Sequence, residues 1–312
     1  MVKIAIAGAS GNVAQEILDG LVAQKKHEIL LLSRKDARAV AWVKANYDDA
    51  AQLAEILQGV DTVLSFIVAH SDPGSVAQKN LIDAAVQAGV RRFAPSEWTG
   101  SSFDYMPWYA GKLEIREYLK ELNKDEKILE YTLFQPGLFM NYLTNPYTST
   151  KHVHPIETPI DFGRRRILMV EGSDGVCINL TTVEDLVSVV VRAVEYEGEW
   201  PLVGGIKGDE ITIGNLIKLG ERVRGGPFSV ERLNAGDLRA GVVRSSWLPK
   251  ADHPSISPEE SQVLAASFTA GMLMGISVGA LSVSDEWNRL LPDYEFIKAE
   301  GFLTEAWSGR PE

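Results

Sequence analysis

Two glycines near the start of the chain carry the clearest chemistry. The run Val2-Lys3-Ile4-Ala5-Ile6-Ala7 ends at Gly8-Ala9-Ser10-Gly11, and Asn12-Val13-Ala14 then opens an amphipathic stretch. A strand that feeds a glycine turn and then a helix leaves unpaired backbone N–H groups at the helix start, where they attract phosphate. Gly8 permits the tight turn, and Gly11 lets the backbone approach a pyrophosphate. Ala14 stands where a third glycine often lies and still allows close helix–sheet packing. The context points to a dinucleotide held by Gly8, Ser10, Gly11, Asn12 and Val13. Spacing alone leaves open a plainer reading, in which both glycines only shape a turn.

The end of the second strand selects among dinucleotides. Leu30-Leu31-Leu32 is followed by Ser33-Arg34-Lys35, where an NAD-preferring site would carry an acid for the ribose hydroxyls. Arg34 can grip a 2′-phosphate with its fork and Lys35 can add a point charge. Asp36 comes too late for the ribose role, so NADPH is the expected cofactor. The alternative is that both cations are solvated loop charges.

Three more segments reach the edge of the sheet where ligands bind. Leu64-Ser65-Phe66-Ile67 is expected to turn the backbone of Ser65, Phe66 and Ile67 toward the cofactor. Pro95-Ser96-Glu97-Trp98 brings Trp98 to cover a flat substrate, unless Ser96 caps the turn and Glu97 pairs with an arginine. Gln135-Pro136-Gly137 brings Pro136 and Gly137 to the nicotinamide, with Phe139 and Tyr142 beyond them as substrate-lining or purely packed rings.

These positions presuppose a scaffold. Strands are expected at Val2–Ala7, Glu28–Leu32, Ala39–Ala45, Thr62–Val68, Arg92–Pro95 and Glu130–Phe134. Helices are expected at Asn12–Ala23, Asp49–Leu57, Gly74–Ala88 with Gly89 as its cap, Trp108–Leu122 and Val183–Glu195. Nearly continuous apolar strands alternating with helices imply a doubly wound, Rossmann-type parallel α/β sheet. The cofactor domain is expected at 1–140 plus about 181–197. A smaller C-terminal substrate lobe is expected at 141–180 and 198–312, where periodicity weakens. Phe268–Val283 reads as a buried helix, because it is too short to cross a bilayer. Gly271, Gly275 and Gly279 would make a smooth stripe on it.

Composition narrows the classes further. The chain has 312 residues, a formal net charge of -11 and one cysteine, Cys177. An acidic surface argues against nucleic acid, and a single thiol argues against a disulfide scaffold. The apolar run before Gly8 is too short for a signal-peptide core, so a cytoplasmic protein with no membrane partner is expected. His152 and His154 flank Val153 without a third ligand, which reads as surface histidines, and no metal is expected. His70 follows the fourth strand without further support.

The stretch from Gln78 to Trp98 resembles the isoflavone reductase and NmrA-like group of atypical short-chain dehydrogenases/reductases. So do the Gly8–Ala14 turn, Gly59-Val60-Asp61-Thr62-Val63, the Lys112–Leu119 helix and Tyr131 through Tyr142. The resemblance covers roughly residues 1–200, is looser beyond, and is strongest to fungal members. It implies an NADPH-dependent reductase acting on a small aromatic or conjugated carbonyl, as a monomer or homodimer. In the family a lysine precedes an arginine by four positions, which gives Lys112 and Arg116 here. Lys112 thereby inherits the roles of holding the cofactor and donating the proton, for which partial burial would suit it. Tyr109, three residues before Lys112, falls off the short-chain tyrosine–lysine register and is not assigned as an acid. The same resemblance leaves open a cofactor-sensing regulator, or an isomerase or cyclase that uses the fold without redox chemistry.

Overall fold

The computed structural model of the protein describes residues 1–34, 42–250 and 258–311. They form two compact units. The first comprises Met1–Trp98, Trp108–Gln135 and Leu186–Gly205; the second comprises Thr99–Pro107, Pro136–Asp185 and Ile206–Glu312.

The first unit begins with β1 (Lys3–Ala7), α1 (Asn12–Gln24), β2 (Glu28–Ser33), β3 (Trp42–Lys44), α2 (Ala50–Ile56) and β4 (Thr62–Ser65). It continues with α3 (Val76–Gln87), β5 (Arg92–Ala94), α4 (Ala110–Leu122), β6 (Glu130–Tyr131) and β7 (Leu133–Gln135). The strands β3-β2-β1-β4-β5-β6 form one sheet in that order, parallel throughout. The order reverses between β1 and β4, where an open α/β sheet makes its ligand crevice. Ala5, Ala7, Val63 and Phe93 are fully buried on the strands, and Leu53, Leu81, Ile82 and Leu119 cover them from the helices.

Helix α5 (Val183–Glu195) has the bounds read from the sequence. Its part in this unit packs on α1 at Gly20, where any Cβ would collide with the Val187 side chain.

Several element ends differ from the sequence reading, each for a local reason. The strand expected at Thr62–Val68 stops at Ser65, whose carbonyl accepts the Trp98 indole N–H at 2.8 Å. The helix expected from Gly74 begins at Val76, because Ser75 is left-handed (φ 55°) and the Asp72 carboxylate accepts the Ala77 and Gln78 amides. The strand expected at Glu130–Phe134 breaks at Thr132. There β6 stays with β5, while β7 pairs with the parallel strand Val203–Gly205. Residues 39–41 of the expected third strand lie outside the described residues.

The second unit holds two three-stranded sheets. One orders Ser229–Leu233, Arg166–Val170 and Ile160–Asp161; the other orders Asp209–Thr212, Cys177–Thr181 and Leu138–Phe139. Its core gathers Ile178, Leu180, Ile213, Leu216, Leu303 and other apolar residues. The helix at Ile213–Arg224 was absent from the sequence reading, although both of its caps are visible in the chain. Thr212 accepts the Asn215 amide, and Gly225 closes the helix in the left-handed region. The apolar helix runs from Pro258 to Ser277, so Gly279 is not part of its stripe. Gly279 instead turns the chain at φ 88°, and the Ala280 amide donates back to the Gly275 carbonyl.

Candidate functional site

The phosphate turn has the shape the glycines require, but the two glycines serve different needs. Gly8 sits at φ 72°, and a Cβ there would lie 2.7 Å from the Phe66 carbonyl oxygen. The fold itself therefore demands glycine at position 8. Gly11 has an ordinary φ of -72°, and a Cβ there would meet only the Gly8 carbonyl, at 3.4 Å. Among the described residues nothing excludes a side chain at Gly11, so its bareness keeps a surface open. The Gly11 amide donates to the Gly8 carbonyl at 3.0 Å and closes the turn. Gly11 is also the N-cap of α1, with no side-chain cap and no acid in the first turn. The positive end of α1 thus carries no acid in its own first turn, and a helix start leaves the amides of Asn12 and Val13 without an intrahelical partner. Ser10 and Gly11 are exposed. These features fit a pyrophosphate.

Ala14 is fully buried, as close helix–sheet packing needs. Arg34 is exposed just beyond β2, and Lys35 lies outside the described residues. Phe66 donates its amide to the Ala7 carbonyl at 2.8 Å, which holds the Phe66–Ile67 peptide against Gly8.

Lys112 is the most distinctive group of the first unit. It lies in the first turn of α4 and is 7% exposed. Its Nζ donates to the carbonyl oxygens of Ser96 and Glu97, the latter at 2.8 Å, just past the end of β5. It also lies 5.2 Å from the centroid of the Tyr109 ring. The sequence register had set Tyr109 aside, yet the N-cap geometry of α4 brings its ring over the ammonium. Burial pulls the Lys112 pKa down from 10.5 to about 8; the Glu97 charge opposes the shift and the Arg116 charge adds to it. A lysine held in this way can give up a proton near neutral pH.

The surroundings of Trp98 differ from a ring that waits for a substrate. Trp98 stacks on Phe66 at 4.5 Å and on Phe134 at 5.3 Å, nearly parallel to both. Two aromatic partners already stack on the indole, and its N–H is used on Ser65. Its backbone is left-handed (φ 50°), a strained setting for a bulky residue. Glu97 follows its plainer reading, while Ser96 is engaged through its main chain and not as a side-chain cap. Ser96 gives its amide to the Gln78 side chain, and Glu97, 1% exposed, pairs with Arg116 at 2.6 Å.

Pro136, Gly137, Phe139 and Tyr142 belong to the second unit. Gly137 is at φ 75°, and a Cβ there would lie 2.6 Å from the Asn179 carbonyl oxygen, so local packing requires this glycine. Asn179 also donates its side-chain amide to the Pro136 carbonyl at 2.6 Å. Phe139 is buried edge-on to the half-buried Tyr142, with ring centroids 5.6 Å apart. His70 and His154 are exposed, and His152 is half-buried. Among the described residues, no group of three His, Cys, Asp or Glu could hold a metal ion, and no helix is long and apolar enough to cross a membrane.

Two contributors escaped the sequence reading. Gln78 Oε1 accepts from Ser65 Oγ at 2.9 Å and from the Ser96 amide at 2.8 Å, tying the ends of β4 and β5 together. The buried Tyr47 hydroxyl lies near the Gly8 backbone and the Arg34 charge. Burial pushes its pKa up to about 12. A buried Gln at one position of an amphipathic helix, or a Tyr after a short strand, carries no local signature that would have marked either.

Comparison with known proteins adds three relatives. Oxidoreductase BOA1 of Botryotinia fuckeliana is 32% identical over 238 residues, covering 72% of this chain and 77% of that protein. Oxidoreductase swnN of Metarhizium robertsii is 24% identical over 338 aligned positions, covering 99% of this chain and 98% of its own. The structure of the NADPH-dependent quinone oxidoreductase QOR2 from Escherichia coli, complexed with NADPH, superposes with a TM-score of 0.70 at 20% identity. That superposition covers 98% of this chain and 100% of QOR2, and the likeness is one of fold. Residues 2–245 match the NmrA-like family, from the phosphate turn through the Lys112 helix and beyond. With more than half of its length inside that match, the chain belongs to the NmrA-like family.

Proposed function

We propose that the protein is an NADPH-dependent reductase of a small aromatic or conjugated carbonyl or enone, with Lys112 as the proton donor. The observation that carries this reading is the buried Lys112 ammonium, tied to two main-chain carbonyls just past the end of β5. The oxidoreductase names of the two fungal relatives support it, as does the fold shared with QOR2, an NADPH-dependent quinone oxidoreductase. Gly8, Ser10, Gly11, Asn12 and Val13 would hold the pyrophosphate, and Arg34 and Lys35 the 2′-phosphate. The Ser65–Ile67 backbone would complete the cofactor's surroundings in the first unit; in the second unit the candidates are Pro136 and Gly137 for the cofactor and Phe139 and Tyr142 for the substrate.

Bound NADPH would supply two electrons as hydride to the electron-poor carbon of the substrate. Lys112 would supply the matching proton to the substrate oxygen and recover it from solvent. An ammonium has three N–H groups, and the Ser96 and Glu97 carbonyls engage two of them. The neutral amine keeps two N–H groups, so both anchors persist in either protonation state. Only the third proton is transferable, and its direction is set by the backbone.

The test follows absorbance of the reduced nicotinamide with purified protein, NADPH and a panel of quinones and enones. Oxidation of NADPH that Lys112→Met abolishes is the expected outcome. Tight NADPH binding with no turnover on any substrate would favour a regulator or a non-redox enzyme instead. A buried lysine with a lowered pKa favours the enzyme, since a sensor has no use for a transferable proton.

A further inference from the structure

We infer that Glu97 and Arg116 are positioning residues for Lys112, a bidentate pair that clamps the peptide whose carbonyls hold the Lys112 ammonium. This rests on the reading of Lys112 as the proton donor. Glu97 faces two ways. Its carboxylate receives Arg116 Nε at 3.1 and 3.3 Å and Arg116 Nη2 at 2.6 Å, while its own carbonyl receives Lys112 at 2.8 Å. Arg116 stands one turn after Lys112 on α4. A closed loop results: Lys112 to the Glu97 carbonyl, through the Glu97 side chain to Arg116, and back along α4. A bidentate carboxylate–guanidinium fork fixes orientation as well as distance. From the other side, Gln78 fixes the Ser96 amide. The acceptor peptide is therefore held at both ends, and neither hold comes from Lys112 itself.

The charges around Lys112 make the inference testable. Glu97 and Arg116 act on the ammonium with opposite signs, and Tyr109 presents its ring. The next groups outward are engaged elsewhere: Lys79 with Glu114, and Asp72 with the Ala77 and Gln78 amides. Lys112 can be titrated without substrate by NMR of 13C-labelled lysine side chains, with its signal assigned through Lys112→Arg. In Glu97→Gln the midpoint should fall, and in Arg116→Gln it should rise, each by about one pH unit. In Glu97→Gln/Arg116→Gln the charges cancel, and the midpoint should return close to that of the parent.

Turnover should not return with it. The double variant should keep NADPH affinity within about two-fold yet lose about ten-fold or more in kcat across the whole pH range. Arg116→Lys should hold the midpoint while kcat still falls, because the cation remains and the fork is gone. Parental kcat in a folded double variant would overturn the clamp. So would single variants whose midpoints move in the same direction. If a single variant fails to fold, the double variant carries no unpaired charge and decides the question alone. Lys112→Met with parental turnover would instead sink the proton-donor reading, an outcome distinct from any of these because the titration needs no substrate.

Discussion

The Lys112 ammonium nitrogen lies 2.8 Å from the Glu97 carbonyl oxygen, so the candidate acid of this protein is anchored to main chain. Burial lowers its pKa to about 8, and the consequence for rate has a definite sign. Reduction needs the protonated form. The kcat/KM for the carbonyl substrate should therefore be level below about pH 8 and fall tenfold per pH unit above it. A profile with no break between pH 7 and 9.5 in the free enzyme would contradict this assignment.

The same group links pH to stability. From about pH 8 to 10.5 the unfolded chain binds a proton that the folded protein has released, so folding is favoured increasingly as pH rises through that window. Below about 8 the full cost of burying the charge is present. Relative to Lys112→Met, the parent should gain of order 3 kcal/mol between pH 8 and 10.5, measured by urea unfolding at each pH. A parallel pH dependence in both proteins would remove Lys112 as the cause.

Gly8 and Gly11 should separate in mutagenesis. Gly8→Ala places a Cβ against the Phe66 carbonyl at positive φ and should cost about 1–3 kcal/mol of stability or more. Gly11→Ala meets no backbone obstacle, so its melting temperature should stay near the parent value while NADPH affinity drops. Calorimetry of each variant with NADPH checks the split. Unimpaired binding by Gly11→Ala would return that glycine to a mere turn residue.

Arg34 is exposed at the end of β2, the place expected for a reader of the 2′-phosphate. Arg34→Ala should raise the KM for NADPH far more than that for NADH. Equal changes for both coenzymes would remove the assignment.

Gln78 offers a test of the strand-end tie. Gln78→Leu leaves the buried Ser96 amide and Ser65 hydroxyl without their shared acceptor and should destabilise the protein by about 1–3 kcal/mol. Thermal unfolding of the variant at constant pH reads this directly, and an unchanged midpoint would contradict it.

Much of the first unit was legible in the chain because its signals are local. A strand, a glycine turn and a helix follow one another within residues 3–24, and periodicity, caps and Gly89 mark the rest. The strand breaks were not legible. Thr132 ends a run of β-formers only because one half finds β5 and the other finds Val203–Gly205, residues far away in sequence. Trp98 shows the same limit at the site. An aromatic residue at a sheet edge reads as a lid, whereas the rings that stack on it, Phe66 and Phe134, come from other segments of the sheet region. The Glu97–Arg116 pair was open to anticipation, since an acid at a strand end and a cation on the following helix can meet. The bidentate geometry was not, because it depends on how α4 lies over β5.

Oxygen atoms of the polypeptide itself, rather than any replaceable group, secure the ammonium of Lys112. Every amino acid brings such an oxygen, so changes at position 96 that preserve the path of the chain leave the ammonium where it is, as long as Glu97 keeps its hold on Arg116. On the proposed reading of Lys112, a scaffold of this kind could exchange the walls that recognise one substrate for walls that recognise another and still deliver its proton along the same line.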